Sequence, residues 1–170
     1  MKVKFVNLGC SKNLVDSERM AGMLKNAGVE ITEDESDAMA VIINTCSFIE
    51  DARKEAVETI LAGTEWKKEY PHRRLFVVGC LPQRYPEELL QEIPEIDGSF
   101  GVGDYQSLIN NIVVSPAASL IPEPRYAFTQ RHYRYLRIAD GCDRHCTYCA
   151  IPGIRGRYQS RPLDELAAET

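Results

Sequence analysis

No apolar run in this 170-residue sequence is long enough to span a bilayer. Nor does Met1-Lys2-Val3-Lys4-Phe5, which leads straight into strand-like sequence, carry the regions of a secretory leader. A cytoplasmic protein with no membrane partner is therefore expected. Disorder-promoting composition is also lacking: 44% of residues are hydrophobic and 26% charged, as in an ordinary folded chain. With no mark of secretion, the six cysteines read as intracellular thiols available as ligands. Lysine is absent between Arg125 and Arg161, where eight arginines face only Asp140 and Asp143. Since the whole chain carries a net charge of −5, residues 1–124 are acidic and an arginine-rich segment follows them. Two solvated surfaces that merely differ explain this as well as arginines that balance an anionic cluster or bind a carboxylate or phosphate.

What is present is cysteine at informative spacing. Cys142, Cys146 and Cys149 follow a C-x3-C-x2-C pattern within one short loop. Three thiolates so close together can face one centre, and their odd number disfavours a disulfide. An iron–sulfur cube held by three cysteines leaves one iron open for a ligand. Zinc is the competing reading and wants a fourth ligand, for which His145 is nearest. Unligated thiols are the third.

The rest of the chain alternates apolar runs with amphipathic stretches. Strands are predicted at Val3 to Leu8, Met39 to Asn44, Leu75 to Val78 and Phe100 to Val102. A helix from an N-cap at Asn13 to Asn26 should bury Met20, Met23, Leu24 and Ala27, with Gly28 just past its end. Ser47-Phe48-Ile49-Glu50 has the pattern of a capping box, so a second helix should start there. Its buried stripe is Ile49, Ala52, Ala56 and Ile60, and it should stop before Pro71. Pro86 opens a short helix and Asp104 caps another, through about Val113. This is the pattern of an α/β domain, a doubly wound parallel sheet covered on both faces, over residues 1–114. Residues 115–132, rich in Pro, Ala and Ser at their start, read as a linker. In 133–170 an alternating strand from Tyr133 to Ile138, the cysteine loop and a helix after Pro162 make one β-loop-α unit. Such a unit cannot bury its own apolar face, so the chain is expected to be part of a longer protein.

Cys10, Cys46 and Cys80 stand at the C-terminal ends of three of these strands, about 35 residues apart, roughly one strand–helix repeat. In an open α/β sheet those ends lie along the edge where ligands bind. Three cysteines distant in sequence should therefore converge, and Gly9 and Gly79 before two of them would admit a bulky ligand. The plainer reading is three small buried side chains.

Cys142-x3-Cys146-x2-Cys149 resembles the signature of the radical S-adenosylmethionine superfamily. Gly9-Cys10-Ser11-Lys12-Asn13 with Asp16-Ser17-Glu18, then Asn44-Thr45-Cys46 and Gly79-Cys80, resembles its methylthiotransferase family, as does the segment from Arg137 through Pro162. Ser-Lys-Asn-Leu after the first cysteine is similar to the branch that modifies a ribosomal protein; tRNA-modifying members usually show Gln-Met-Asn there.

The resemblance implies a flavodoxin-like N-terminal domain and the first unit of a radical-enzyme barrel. It implies two 4Fe-4S clusters, one on Cys142, Cys146 and Cys149 that binds S-adenosyl-L-methionine, the other on Cys10, Cys46 and Cys80. No catalytic residue is implied beyond these ligands. Tyr148 would stand beside the adenine, with packing as its other reading. Arg155 and Arg157, with Arg161, would neutralise the cofactor carboxylate or a cluster, or form a solvated face. The implied partners are a small-subunit ribosomal protein, the one numbered twelve, methylthiolated at the β-carbon of an aspartate, and a reducing electron donor, with tRNA adenosine as the runner-up substrate. A non-catalytic iron–sulfur or zinc-binding module is the alternative of another class. Asn13, Asp16 and Glu18 match the family pattern, but helix capping and a favourable charge at a helix N-terminus explain them without it. Family members continue well beyond such a unit, so these 170 residues are expected to bind clusters at most and not to turn over.

Overall fold

The computed structural model describes residues 1–70, 72–113 and 125–170. Strands β1 (Lys2–Asn7), β3 (Ala40–Thr45), β4 (Arg74–Gly79) and β5 (Gly98–Phe100) form one parallel sheet, with the two-residue strand β2 (Glu30–Ile31) at its other edge. The order is β2-β1-β3-β4-β5, that of a flavodoxin-like doubly wound sheet. All six residues of β3 are buried, as are the last five of β4, because helices cover both faces.

The pleat divides the core in two. Val3, Phe5, Ile42, Phe76 and Val78 pack against helix α1 (Ser11–Asn26), through Met20 and Leu24, and helix α5 (Tyr105–Ile112), through Leu108 and Ile112. Val41, Ile43, Leu75 and Val77 point the other way. They meet Ala56, Ile60 and Trp66 of helix α2 (Glu50–Lys68), Leu81 of helix α3 (Cys80–Arg84) and Leu89 of helix α4 (Pro86–Glu92). The methionine Met20 is core, as its helical spacing indicated. Among the described residues no helix is long and apolar enough to cross a membrane.

Several local expectations differ from the structure. Asn13 does not cap α1, which begins two residues earlier with Cys10 at its N-cap. The capping box does not form: α2 begins at Glu50 with Ile49 as N-cap, and the Ser47 hydroxyl donates instead to the Cys80 carbonyl at 2.9 Å. Ile49 is consequently exposed, not part of the buried stripe. Asp104 stands at the N-cap of α5 but makes no side-chain cap bond. The last strand of the sheet is Gly98–Phe100 rather than Phe100 to Val102.

Residues 133–138 are not a strand. A strand needs a partner, and here only Ala139–Asp140 (β6) pairs, antiparallel, with Gln159–Ser160 (β7). Two short helices, α6 (Ile151–Arg155) and α7 (Leu163–Glu169), complete this second part. The expected boundary at 114 and residues 115–124 of the expected linker lie outside the described residues, as does Pro71. At Tyr126 and Phe128 the chain lies on the sheet domain: the Tyr126 amide donates to the Glu18 carbonyl at 2.9 Å, and the tilted rings of Phe128 and Phe5 meet at 5.4 Å between centroids.

Helix α7 buries no residue of its own. Glu169 ties it down, accepting from Arg125 and Arg161. Burial acts to raise the Glu169 pKa, but bonds from Arg161 and Arg125 outweigh it and hold the carboxyl below its ordinary value. A depressed folded value adds stability that is complete above the unfolded pKa of about 4.3 and is lost as pH falls through the folded value. Lowering the pH from 6 to 3 is expected to release α7 ahead of the sheet, read as early loss of amide-exchange protection over residues 163–169. Simultaneous loss in α7 and β3 would contradict this.

Candidate functional site

The switch point of this sheet lies between β1 and β3, whose following helices pack on opposite faces, and ligands bind there in open α/β sheets. Cys10 and Cys46 leave the sheet at this crevice, and Cys80 follows the next strand, β4.

Gly9 (φ 93°) and Gly79 (φ 97°) make the turns before Cys10 and Cys80. Their lack of a side chain makes room for a neighbouring strand exit rather than a ligand. A Cβ on Gly9 would sit 2.6 Å from the Cys46 Cβ and 3.3 Å from its Sγ. A Cβ on Gly79 would collide with Asn44 Oδ1 and come within 2.8 Å of the Thr45 carbonyl. Gly79→Ala therefore combines a backbone region that L-residues avoid with a clash against a buried strand end. It is expected to cost about 1–3 kcal/mol, measured by denaturant unfolding; an unchanged midpoint would contradict the close approach.

Asn13 joins two of the three thiols. Its Oδ1 accepts from Cys10 Sγ at 3.6 Å and from Cys80 Sγ at 3.9 Å. Its Nδ2 donates to the Thr45 carbonyl at 2.8 Å, next to Cys46. Asn44 Nδ2 donates to the Asn13 carbonyl and to Ser17 Oγ, both at 2.8 Å, while Thr45 Oγ1 donates to the Val78 carbonyl at 2.7 Å. The polar residues beside the cysteines thus lock the ends of β3 and β4 to α1. Cys10 is exposed, Cys46 half-buried and Cys80 buried. Burial pushes the Cys80 thiol pKa up, the Arg155 guanidinium acts to lower it, and nearby Cys46 and Cys10 add to the rise.

The second cysteine set lies on the loop between β6 and α6. The Cys142 amide donates to the Gly156 carbonyl at 3.0 Å, the Cys149 amide to the Cys146 carbonyl at 3.1 Å, and the Arg144 amide to Cys142 Sγ at 3.4 Å. Cys142 and Cys149 are half-buried; Cys146 and His145 are exposed. Tyr148 is 87% exposed, so core packing does not hold it. Arg157 is exposed too.

Arg155 is placed differently. Its Nη1 donates to Asp140 Oδ2 of its own segment at 2.9 Å, while Nη2 reaches back to the first domain and donates to Asp16 Oδ2 at 2.9 Å and Asn13 Oδ1 at 3.1 Å. Asp16 also accepts from Arg137 and from the Tyr105 hydroxyl, and Lys12 Nζ reaches Asp140 at 2.8 Å. Glu18 accepts from Arg125 and, at 3.0 Å, from the Phe128 amide. Asn13, Asp16 and Glu18 are only 1%, 3% and 0% exposed, and none is a cap or a first-turn charge of α1, whose N-cap is Cys10 and whose first turn holds no acid. They form the polar face on which α1 receives residues 125–155. Capping patterns hid this, and the signal that pointed to it was the excess of arginine in that segment.

Among the described residues no three His, Cys, Asp or Glu side chains stand as a group that could hold a metal ion. A four-iron cube ties each cysteine to a different iron, so its ligands must border one space rather than meet at one point. Cys10 and Cys80 on Asn13 and Cys46 against Gly9, with no carboxylate bonded to them, fit that demand by donor chemistry. The loop set fits by donor chemistry as well, with a backbone amide already directed at one sulfur.

A family model described as "Uncharacterized protein family UPF0004" matches residues 2–101. Relatives called ribosomal protein uS12 methylthiotransferase RimO match almost the whole chain. The one from Lachnoclostridium phytofermentans is 44% identical over 181 residues, covering 99% of this chain and 41% of the relative. The one from Aquifex aeolicus is 46% identical over 169 residues, covering 99% and 37%. The one from Heliobacterium modesticaldum is 41% identical over 182 residues, covering 100% and 40%. The chain spans about two fifths of the length of these curated relatives.

Proposed function

The chain belongs to the UPF0004 family, and on that premise we propose that it is the N-terminal part of a radical S-adenosylmethionine methylthiotransferase acting on an aspartate of ribosomal protein uS12. The observation that carries the reading is the gathering of Cys10 and Cys80 on Asn13, with Cys46 against Gly9, at the ligand-binding edge of the sheet. Cys10, Cys46 and Cys80 would hold one 4Fe-4S cluster, and Cys142, Cys146 and Cys149 the other. When bound, these clusters supply the electron that cleaves S-adenosylmethionine and the sulfur that is transferred.

The chain's own residues hold and orient. Asn13, Asn44 and Thr45 fix the strand ends that carry the first three thiols. Asp16 and Asp140 dock α6, which follows the loop cysteines, against α1. Tyr148, exposed at the loop, would stack on the adenine, and exposed Arg157 would pair with the cofactor carboxylate. Arg155 is already engaged by Asp16, Asp140 and Asn13, so Arg157 is the better partner for that carboxylate.

The test is full-length protein, reconstituted anaerobically and supplied with S-adenosylmethionine, a reductant and either the ribosomal protein or tRNA. Gain of one methylthio group on an aspartate of the ribosomal protein is expected. Modification of tRNA adenosine instead would overturn the substrate, and one zinc with no iron would overturn the chemistry.

A further inference from the structure

Arg155 belongs to the loop segment by sequence and to the strand-end cysteines by position. Its side chain is 2% exposed, so its charge acts where water screens it little. Asn13 Oδ1 joins it to the thiols: the same oxygen accepts from Arg155 Nη2, Cys10 Sγ and Cys80 Sγ. A carbonyl oxygen has two lone pairs, so three donors crowd it. A thiol that becomes a metal ligand has lost its proton and no longer donates. With Cys10 and Cys80 ligated, Arg155 remains as the donor that holds Asn13 in place.

Resting on the two-cluster reading above, we infer that Arg155 is a positioning residue of the strand-end site. It carries one fixed positive charge from the loop segment to the edge of Cys10, Cys46 and Cys80, so that docking of α6 tunes the cluster held there. The neighbouring groups sharpen the expectation. Asp16 and Asp140 carry two negative charges against three positive ones on Arg155, Arg137 and Lys12. Removing Arg155 takes one positive charge from beside a cluster whose reduced form is the more negative one. The reduced form should lose stability, because net charge and nearby hydrogen bonds set such potentials.

The experiment uses full-length protein with Cys142, Cys146 and Cys149 replaced by alanine, so that only the strand-end cluster loads. Iron content is counted first, and the one-electron couple is then followed by spin resonance during a redox titration. Arg155→Met is expected to shift the equilibrium toward the oxidised cluster about tenfold, a fall of about 59 mV for one electron. Arg155→Lys, which keeps the charge, should lie near the parent. Arg137→Met removes a cation from the same two carboxylates without touching Asn13, and should shift the couple less. If Arg155→Met does not fold, Arg155→Gln carries the same expectation. Equal shifts for the Arg155 and Arg137 variants, or none for Arg155, would overturn this role. No iron in the parent would instead overturn the cluster assignment on which it rests.

Discussion

Asp16→Ala is expected to destabilise the protein by about 3–5 kcal/mol, the cost of leaving a buried charge without its partner. Asp16 is 3% exposed and bonds to Arg137, Arg155 and the Tyr105 hydroxyl. Burial works against the charge of both arginines, yet Asp16 keeps their pKa values above the ordinary guanidinium value. Burial, with the Asp16 charge beside it, pushes the Tyr105 phenol up in turn. Without the carboxylate, two desolvated cations share Asp140, which is less buried and also holds Lys12. The figure measures that imbalance and not the net worth of the ion pairs. Replacing Asp16, Arg137 and Arg155 together by apolar residues of similar volume should therefore cost less than Asp16→Ala alone. Denaturant unfolding of both variants decides it. A loss under about 0.5 kcal/mol for Asp16→Ala would mean that the junction behaves as an exposed ion pair.

Phe76→Ala is expected to cost about 3–5 kcal/mol as well, by a different route. Phe76 is fully buried in β4, between β3 and β5, with its ring 6.4 Å from that of Phe100. The lost transfer energy is joined by a cavity that a central strand cannot close, because its neighbours are hydrogen-bonded on both sides. The same strand delivers Gly79 and Cys80, so the damage reaches the site through geometry rather than chemistry. A lowered unfolding midpoint with an unchanged m-value is the expected signature. A loss below about 1.5 kcal/mol, the range of a volume-conserving swap, would show that the core collapses into the gap.

The central strands were legible because burial on both faces gives them an unbroken apolar run, residues 40–43 of β3 and 75–78 of β4. From those strands followed the sheet, its helices and the strand-end position of Cys10, Cys46 and Cys80. Glu30–Ile31 was not legible, since two residues carry no period. Tyr133 to Ile138 alternates like a strand, but a sequence cannot supply the neighbour that pairing requires. The polar face of α1 was misread for a related reason. Counted from a cap at Asn13, Asp16 is a first-turn acid, but the helix begins at Ser11, and the arginines that pair with Asn13, Asp16 and Glu18 come from 107 to 142 positions along the chain. Such partners leave no local mark. Ser47 and Glu50 show the converse, a strong local pattern set aside because the Cys80 carbonyl offered Ser47 a buried bond.

The convergence of three strand ends on one cluster is tested most directly by iron and sulfide analysis of anaerobically reconstituted full-length protein. The native chain should hold about eight irons, and the variant with Cys10, Cys46 and Cys80 all replaced by alanine about four. Single replacement of any one of the three should lower the count toward the same four, because they border one site. An iron count unchanged by the triple replacement would contradict a cluster at the sheet edge.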